Sequence, residues 1–465
     1  MYTDARGLTL TTSSEAAAGH FSDAIDDYLD YRLSASAKLK MALDEDPDFV
    51  MALYFRTCFL QMLETGAVLP KVNQALEGMK QRLGAVTARE RGHVLALEAW
   101  AQGDIIGACR IWEDILVEHP LDILALKLHH YLTFWTGRSY AMRGCVARVL
   151  PAWDADTPGY ASIQGMYAFG LEECGEYDAA ERWGREAVER NGEDLWAIHS
   201  VAHVLEMQGR SAEGVTWLDY ADERWAGCNP FIGHIWWHAG LFNLAQGNYD
   251  KVLSLYDDQM CAVNSKFFVD MQNQVSLLKR LELRGVDVGD RWEVLADHGE
   301  TRIDDHILAF NDVHFCLALA AAGRSDHAQR HIASMAAFGE GAHNGGGWTA
   351  ITMAATTVPL CQALIAYEKG DYGNACDILW PLKDDIAPIG GSHAQRDMFA
   401  QILCDAALRD GRFAMARSLF SERISLRPSS GMNWQCYADA LDGLGEGDVA
   451  AAARAQAETA SEPAA

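Results

Sequence analysis

The chain has 465 residues, 49% of them hydrophobic and 22% charged, with a formal net charge of -27. That mixture excludes wholesale disorder. The excess of acid opposes binding to phosphate backbones and anionic lipid surfaces, so neither nucleic acid nor membrane is expected as a partner. The 11 cysteines are scattered singly from Cys58 to Cys436 with no Cys-x-x-Cys. Unpaired thiols in a reducing, cytoplasmic setting are the natural reading. The N-terminus lacks a basic start followed by an apolar run, and apolar runs such as Phe315 to Ala322 fall short of a membrane span.

In chain order, residues 1–20 read as an irregular segment, and a continuous helical array is expected over residues 21–453. Few prolines and many alanines and leucines favour helix. Glycines followed by Asp, Asn, Glu or, more loosely, Arg mark an interval: Gly103, Gly137, Gly175, Gly209 and Gly247 are 34 or 38 residues apart, and Gly323, Gly370 and Gly411 carry the same signature. Around Gly103, the residues Ala108, Trp112 and Pro120 fall at the same offsets as Ala416, Phe420 and Pro428 after Gly411. Glycine ends a first helix in a left-handed cap, a small residue lets two helices approach, an aromatic fills the gap, and proline stops the second helix. A period near 34 residues is that of the tetratricopeptide helix–turn–helix unit. The expected fold class is therefore all-α, a tetratricopeptide-like superhelix of antiparallel helix pairs sharing one core. Val286 to Glu300 interrupts the series, Phe338 to Thr349 reads as a glycine-rich loop, and residues 454–465 read as a fraying tail.

Two stretches carry the chemistry. HSVAHVLEMQGR places His199 and His203 one turn apart, and HIWWHAGLFNLAQGN does the same with His234 and His238. Each pair shares one helix face. Counting each cap glycine as the fifteenth residue of its unit, His199, His203 and His234 fall on positions that line the concave groove of peptide-binding arrays of this class. His238 and His314 share a further position, and His130 falls on a packing one. Three readings stand. The imidazoles are hydrogen-bonded core residues, with Glu206, Asp312 or Asn243 as partners, since an unsatisfied buried imidazole costs about 1–3 kcal/mol. Alternatively they line a concave site for a protein or small-molecule ligand, built from His199, His203, Glu206, His234, Trp237, His238, His130 and His314. Or His199, His203, His234 and His238 hold a metal, which opens a metal-dependent or acid–base enzyme as the rival to a binding protein. No cofactor is required by the sequence; a divalent metal fits the two pairs. The Glu of His-Glu-x-x-His is absent, as are phosphate-binding loops and a nucleophile elbow. IGGSHAQRDMF, from Ile389 to Phe399, offers Ser392 as a helix cap, with Arg396 able to assist an anion.

The chain resembles the tetratricopeptide repeat protein 38 family. The matching strings are DARGLTLTTSSEA, HPLDILALKLHHYLTFWTG, LWAIHSVAHVLEMQG, HIWWHAGLF, GDRWEVL, DDHILAFNDVHF and IGGSHAQRDMF, in that order and across nearly the whole chain. The resemblance implies a whole-chain helical repeat protein and carries no reaction with it. His393 departs from the asparagine that the vertebrate member has there, which argues against a shared role for this imidazole.

Overall fold

The structure, a computed structural model, describes residues 1–219, 226–261, 267–341 and 347–461. Helices follow one another in antiparallel pairs: Ala88–Ala101 with Ile105–Glu118, Ile123–Trp135 with Ser139–Val149, Tyr160–Glu172 with Tyr177–Arg190, Leu195–Met207 with Ser211–Trp217, and Ile232–Ala245 with Tyr249–Leu255. Further pairs run from Phe268–Glu282 to Gly447–Ser461. The strands, Tyr2–Thr3 and Thr9–Leu10, form one small antiparallel ribbon. All eight glycines of the sequence series adopt left-handed φ, between +63° and +80°, as the cap of a first helix requires. The chain is thus an all-α array of tetratricopeptide-like helix pairs.

Several boundaries differ from the sequence reading. The first helix already begins at Glu15, because Ser14 caps it by accepting from the Ala17 amide at 3.2 Å. The break at 286–300 contains a helix, Arg291–Glu300, which pairs with Phe268–Glu282 after a left-handed Gly285. The helix Ser325–Glu340 runs into the expected glycine-rich loop, helix resumes at Trp348, and residues 342–346 lie outside the described residues. The tail is helical to Ser461, as the end of the helix Gly447–Ser461 whose Ala450 and Ala453 pack on Leu441, and 462–465 lie outside the described residues. Among the described residues, the longest apolar helix is Trp348–Glu368, whose 21 residues could cross a bilayer by length and composition alone. Here 61% of its apolar window is buried, between the 309–321 helix and Tyr372–Leu382.

The array turns back on itself. Ser429 Oγ donates to Gly209 O at 3.2 Å, Arg427 pairs with Glu206 at 3.2 Å, and the His393 amide donates to Glu173 Oε1 at 2.9 Å. These contacts join segments some 220 residues apart in sequence. They close the inner face of the middle repeats, so side chains that would line an open groove become interior. At the seam, Gly137 brings its backbone so close to Ala387 that a Cβ at 137 would lie 2.0 Å from Ala387 O.

Gly103 and Gly137 therefore test cap against seam. Gly103 has φ +80° and open space around it, so Gly103→Ala is expected to cost about 1–2 kcal/mol of backbone strain. Gly137→Ala adds the backbone clash, and its urea midpoint should fall by clearly more. Equal losses would mean that the seam yields freely.

Candidate metal centre

Two neighbouring first helices carry the histidines. Asp194 caps Leu195–Met207, accepting from the Trp196 and Ala197 amides at 2.9 and 3.0 Å. This cap sets the start of the turn that carries His199 and His203. The second helix, Ile232–Ala245, starts beyond Asn229, whose side chain accepts from the Phe231 amide at 2.9 Å. Stacked side by side, the two helices bring all four imidazoles into one cluster. Ring centroids lie 4.3 Å apart for His199 and His203, 4.5 Å for His203 and His238, and 4.9 Å for both His199–His234 and His234–His238. One ring nitrogen from each can be chosen so that all four lie within 4.8 Å of one another.

The cluster is buried: His199, His203, His234 and His238 are 1%, 0%, 3% and 0% exposed. Its walls are aromatic. Phe169 stacks on His199 at 5.3 Å, Phe231 meets the same ring at 5.2 Å, and Trp237 stacks on His234 at 5.0 Å. In this dry surrounding, both ring nitrogens of His199, His203 and His238 have no hydrogen-bond partner among the described residues. His234 is the exception, its Nδ1–H donating to Asn273 Oδ1 at 2.7 Å. That bond leaves Nε2 as the donor atom facing a ligand, which is how a metal-bound histidine is commonly oriented.

Glu172 completes the arrangement. It is 0% exposed, neither of its oxygens has a hydrogen-bond partner among the described residues, and Oε2 lies 3.6 Å from His203 Nδ1. Burial, then the neighbouring Glu173 charge, pushes its pKa well above the carboxylate range, with Arg396 opposing. Burial also pushes the four imidazoles down, His234 to about 4 and the others well below the ordinary value. Lys127 adds to the effect on His199 from its place over the Trp196 ring, 4.6 Å from the centroid.

The remaining sequence candidates separate. Glu206 shares its helix with His203 but turns to Arg427 and is not part of the donor set. Asn243 bonds the Ala239 carbonyl at 2.9 Å and Asp312 pairs with His306 at 2.8 Å, so neither serves the cluster. Trp237, fully buried, forms a wall. His130 is wedged between Phe169 and Trp196, with both nitrogens unpaired among the described residues, outside the tetrad. His314 donates from Nδ1 to Phe310 O at 2.7 Å, a satisfied core histidine. Ser392 caps its helix as expected, and Arg396 bonds the Gly390 and Gly391 carbonyls. The tetrad is therefore interior, not the wall of an open groove. Glu172, Glu173 and Asn273 were missed. Glu172 and Glu173 stand three and two residues before the cap Gly175, on groove positions of the same repeat numbering, and that numbering could have found them. In a further group, Glu113, His129 and Cys145, Glu113 lies 3.3 Å from His129 Nε2 and 2.6 Å from Arg148, while His129 Nδ1 has no hydrogen-bond partner among the described residues.

Four nitrogens bound at about 2.0–2.1 Å in a tetrahedron lie about 3.3 Å apart. The widest pair here would close by at most about 1.5 Å, within reach of small side-chain shifts. A neutral, imidazole-rich set suits several first-row ions.

No known family's profile matches the chain. Among solved structures, the chain is similar to human IFIT1 in a dimer with m7Gppp-AAAA, at 11% identity over 98% of this chain and 96% of that one, TM-score 0.43. It is also similar to yeast Tom70, at 13% identity over 92% and 86%, TM-score 0.34. Likenesses this distant carry no functional argument, and the fold is read from the helix pairs themselves.

The depressed imidazoles set an acid limit. Below about pH 6.5 the unfolded chain takes up protons that the folded tetrad refuses, so stability is lost as pH falls toward 4. Each such imidazole contributes about 1.4 kcal/mol per pH unit in that window. Glu172, Glu64 and Asp194, which burial pushes up, act in the opposite sense, while His130 and His314, which burial pushes down, add to the tetrad. The metal-free protein should show a urea midpoint that drops steadily from pH 6.5 to 4.5. The drop should be smaller in His199→Ala with His203→Ala, which lacks two of these imidazoles, and an equal drop would contradict the buried, neutral state of the tetrad.

Proposed function

We propose that the protein is a helical-repeat metalloprotein, holding one first-row transition ion between His199, His203, His234 and His238. One observation carries the reading: three imidazoles with both nitrogens unpaired converge with a fourth inside an aromatic box. Each unpaired buried polar atom costs about 1–3 kcal/mol, and a shared cation would take up one nitrogen from each ring at once. The outer contacts fit. Asn273 holds His234 by its Nδ1–H, and Glu172 faces Nδ1 of His203, which leaves Nε2 of both rings for the ion. When bound, the ion would supply Lewis acidity or, if redox-active, an electron site. The chain's own residues would hold the ion, exclude water through Phe169, Phe231 and Trp237, and keep the imidazoles neutral.

A second reading, ligand binding in the manner of a repeat scaffold, is supported by a separate observation. An open cleft of about 590 Å³ lies beside the centre, lined among others by Arg138, Tyr140, Glu173, Tyr177, His393 and Arg396. A small polar ligand or a partner's side chain would fit there. An enzyme using both features is the natural union of the two readings. Membership of the tetratricopeptide repeat protein 38 family, as the sequence strings imply, is part of this proposal. So is a reducing compartment such as the cytoplasm, which eleven free thiols favour.

Untagged protein purified without chelators should carry close to one equivalent of a first-row metal by elemental analysis. His199→Ala with His203→Ala should stay folded and lose it, while chelation of the wild type should lower Tm by about 5 °C or more. A wild type that neither retains nor takes up zinc, iron, nickel, cobalt or copper would return the tetrad to simple packing.

A further inference from the structure

Resting on the reading of the tetrad as a metal centre, we infer that Glu172, Glu173 and His203, with His393 at the rim, form a second cation position joined to the first through the His203 ring. Donor atoms of Glu172, Glu173 and His203 lie within 4.8 Å of one another. Nδ1 of His203 points to this side, 3.6 Å from Glu172 Oε2, and Nε2 is left for the tetrad. Both Glu172 oxygens are buried without a hydrogen-bond partner among the described residues. A carboxyl with no donor to accept from is a poorer solution than apolar packing unless something binds it.

Glu173 extends the set toward solvent. It is 4% exposed, and its Oε1 accepts the His393 amide at 2.9 Å. Its Oε2 lies 3.8 Å from Arg396 Nη2 and 3.7 Å from His393 Nε2, a nitrogen that bonds the Glu173 carbonyl at 3.1 Å and would have to leave it, or yield to Nδ1, for this ring to bind an ion. Arg396 is already engaged by the Gly390 and Gly391 carbonyls, so its charge offsets one carboxylate and leaves the other for a cation. Two carboxylates and one or two imidazoles make a harder donor set than four nitrogens, suited to manganese, iron or zinc. Glu173, His393 and Arg396 also line the open cleft, which gives a hydrated ion an approach from solvent that the aromatic box around the tetrad denies. On binding, Glu172 gives up its carboxyl proton. His203, bound through one nitrogen to each ion, gives up its remaining ring proton. Both protons pass to solvent through the cleft.

Binding stoichiometry tests this. Full-length protein freed of metal, then titrated with zinc and freed of excess, should hold two equivalents. Glu173→Gln with His393→Ala should hold one, and so should His199→Ala with His238→Ala, which removes only the tetrad side. One equivalent in the wild type, unchanged in the Glu173→Gln and His393→Ala protein, would overturn the second position. It would leave Glu172 as a residue that only orients His203. No zinc in the wild type would overturn the tetrad reading and the second position with it. Melting curves check that the variants fold; were the paired variants to unfold, the wild-type count of two against one still decides.

Discussion

Buried polar groups need partners, and the interior of this chain concentrates them at one point. Four imidazoles and a carboxyl meet where the helices Tyr160–Glu172, Leu195–Met207 and Ile232–Ala245 stack. Here the apolar contacts are moved outward into the walls, Phe169, Trp196, Phe231 and Trp237, and the centre is left polar and buried. That arrangement is unfavourable by itself, because neutral imidazoles in an apolar box lose the water that would hydrogen-bond them. A shared cation would turn the same arrangement favourable, since it would use one nitrogen of each ring.

Closure of the array supports the site. The contacts from His393, Arg427 and Ser429 back to Glu173, Glu206 and Gly209 tie the late repeats over the middle ones. Left-handed glycines at the ends of first helices allow these approaches, and at Gly390 a Cβ would fall 2.5 Å from Trp135 O. The seam seals the tetrad while leaving the Glu173 side facing a cleft. The two sides of His203 thus meet different surroundings, an aromatic box on one and a polar, accessible wall on the other.

Much of this was legible in the sequence because it is local. The glycine interval fixed the helix pairs, and His-x-x-x-His placed each imidazole pair on one face. The length of the first helix was also local, yet Ser14 as its cap was overlooked in a segment read as irregular. Contacts between repeats were harder. Glu206 was the carboxylate near His203 along the chain, but side-chain direction and the distant Arg427 draw it away. Glu172 belongs to the previous repeat and reaches His203 by stacking, a contact that distance along the chain hides and only the repeat numbering points to. An open concave groove was expected from isolated arrays of this class; closure by residues some 220 positions away could not be read from any single repeat.

X-ray absorption at the metal edge of the protein as purified without chelators tests the central claim most directly. The account predicts a first-row ion with at least four imidazole nitrogens at about 2.0–2.1 Å, and the same protein with His199→Ala and His203→Ala should lose that signature. Protein with no edge at all, or an ion bound by thiolate sulfur, would contradict it.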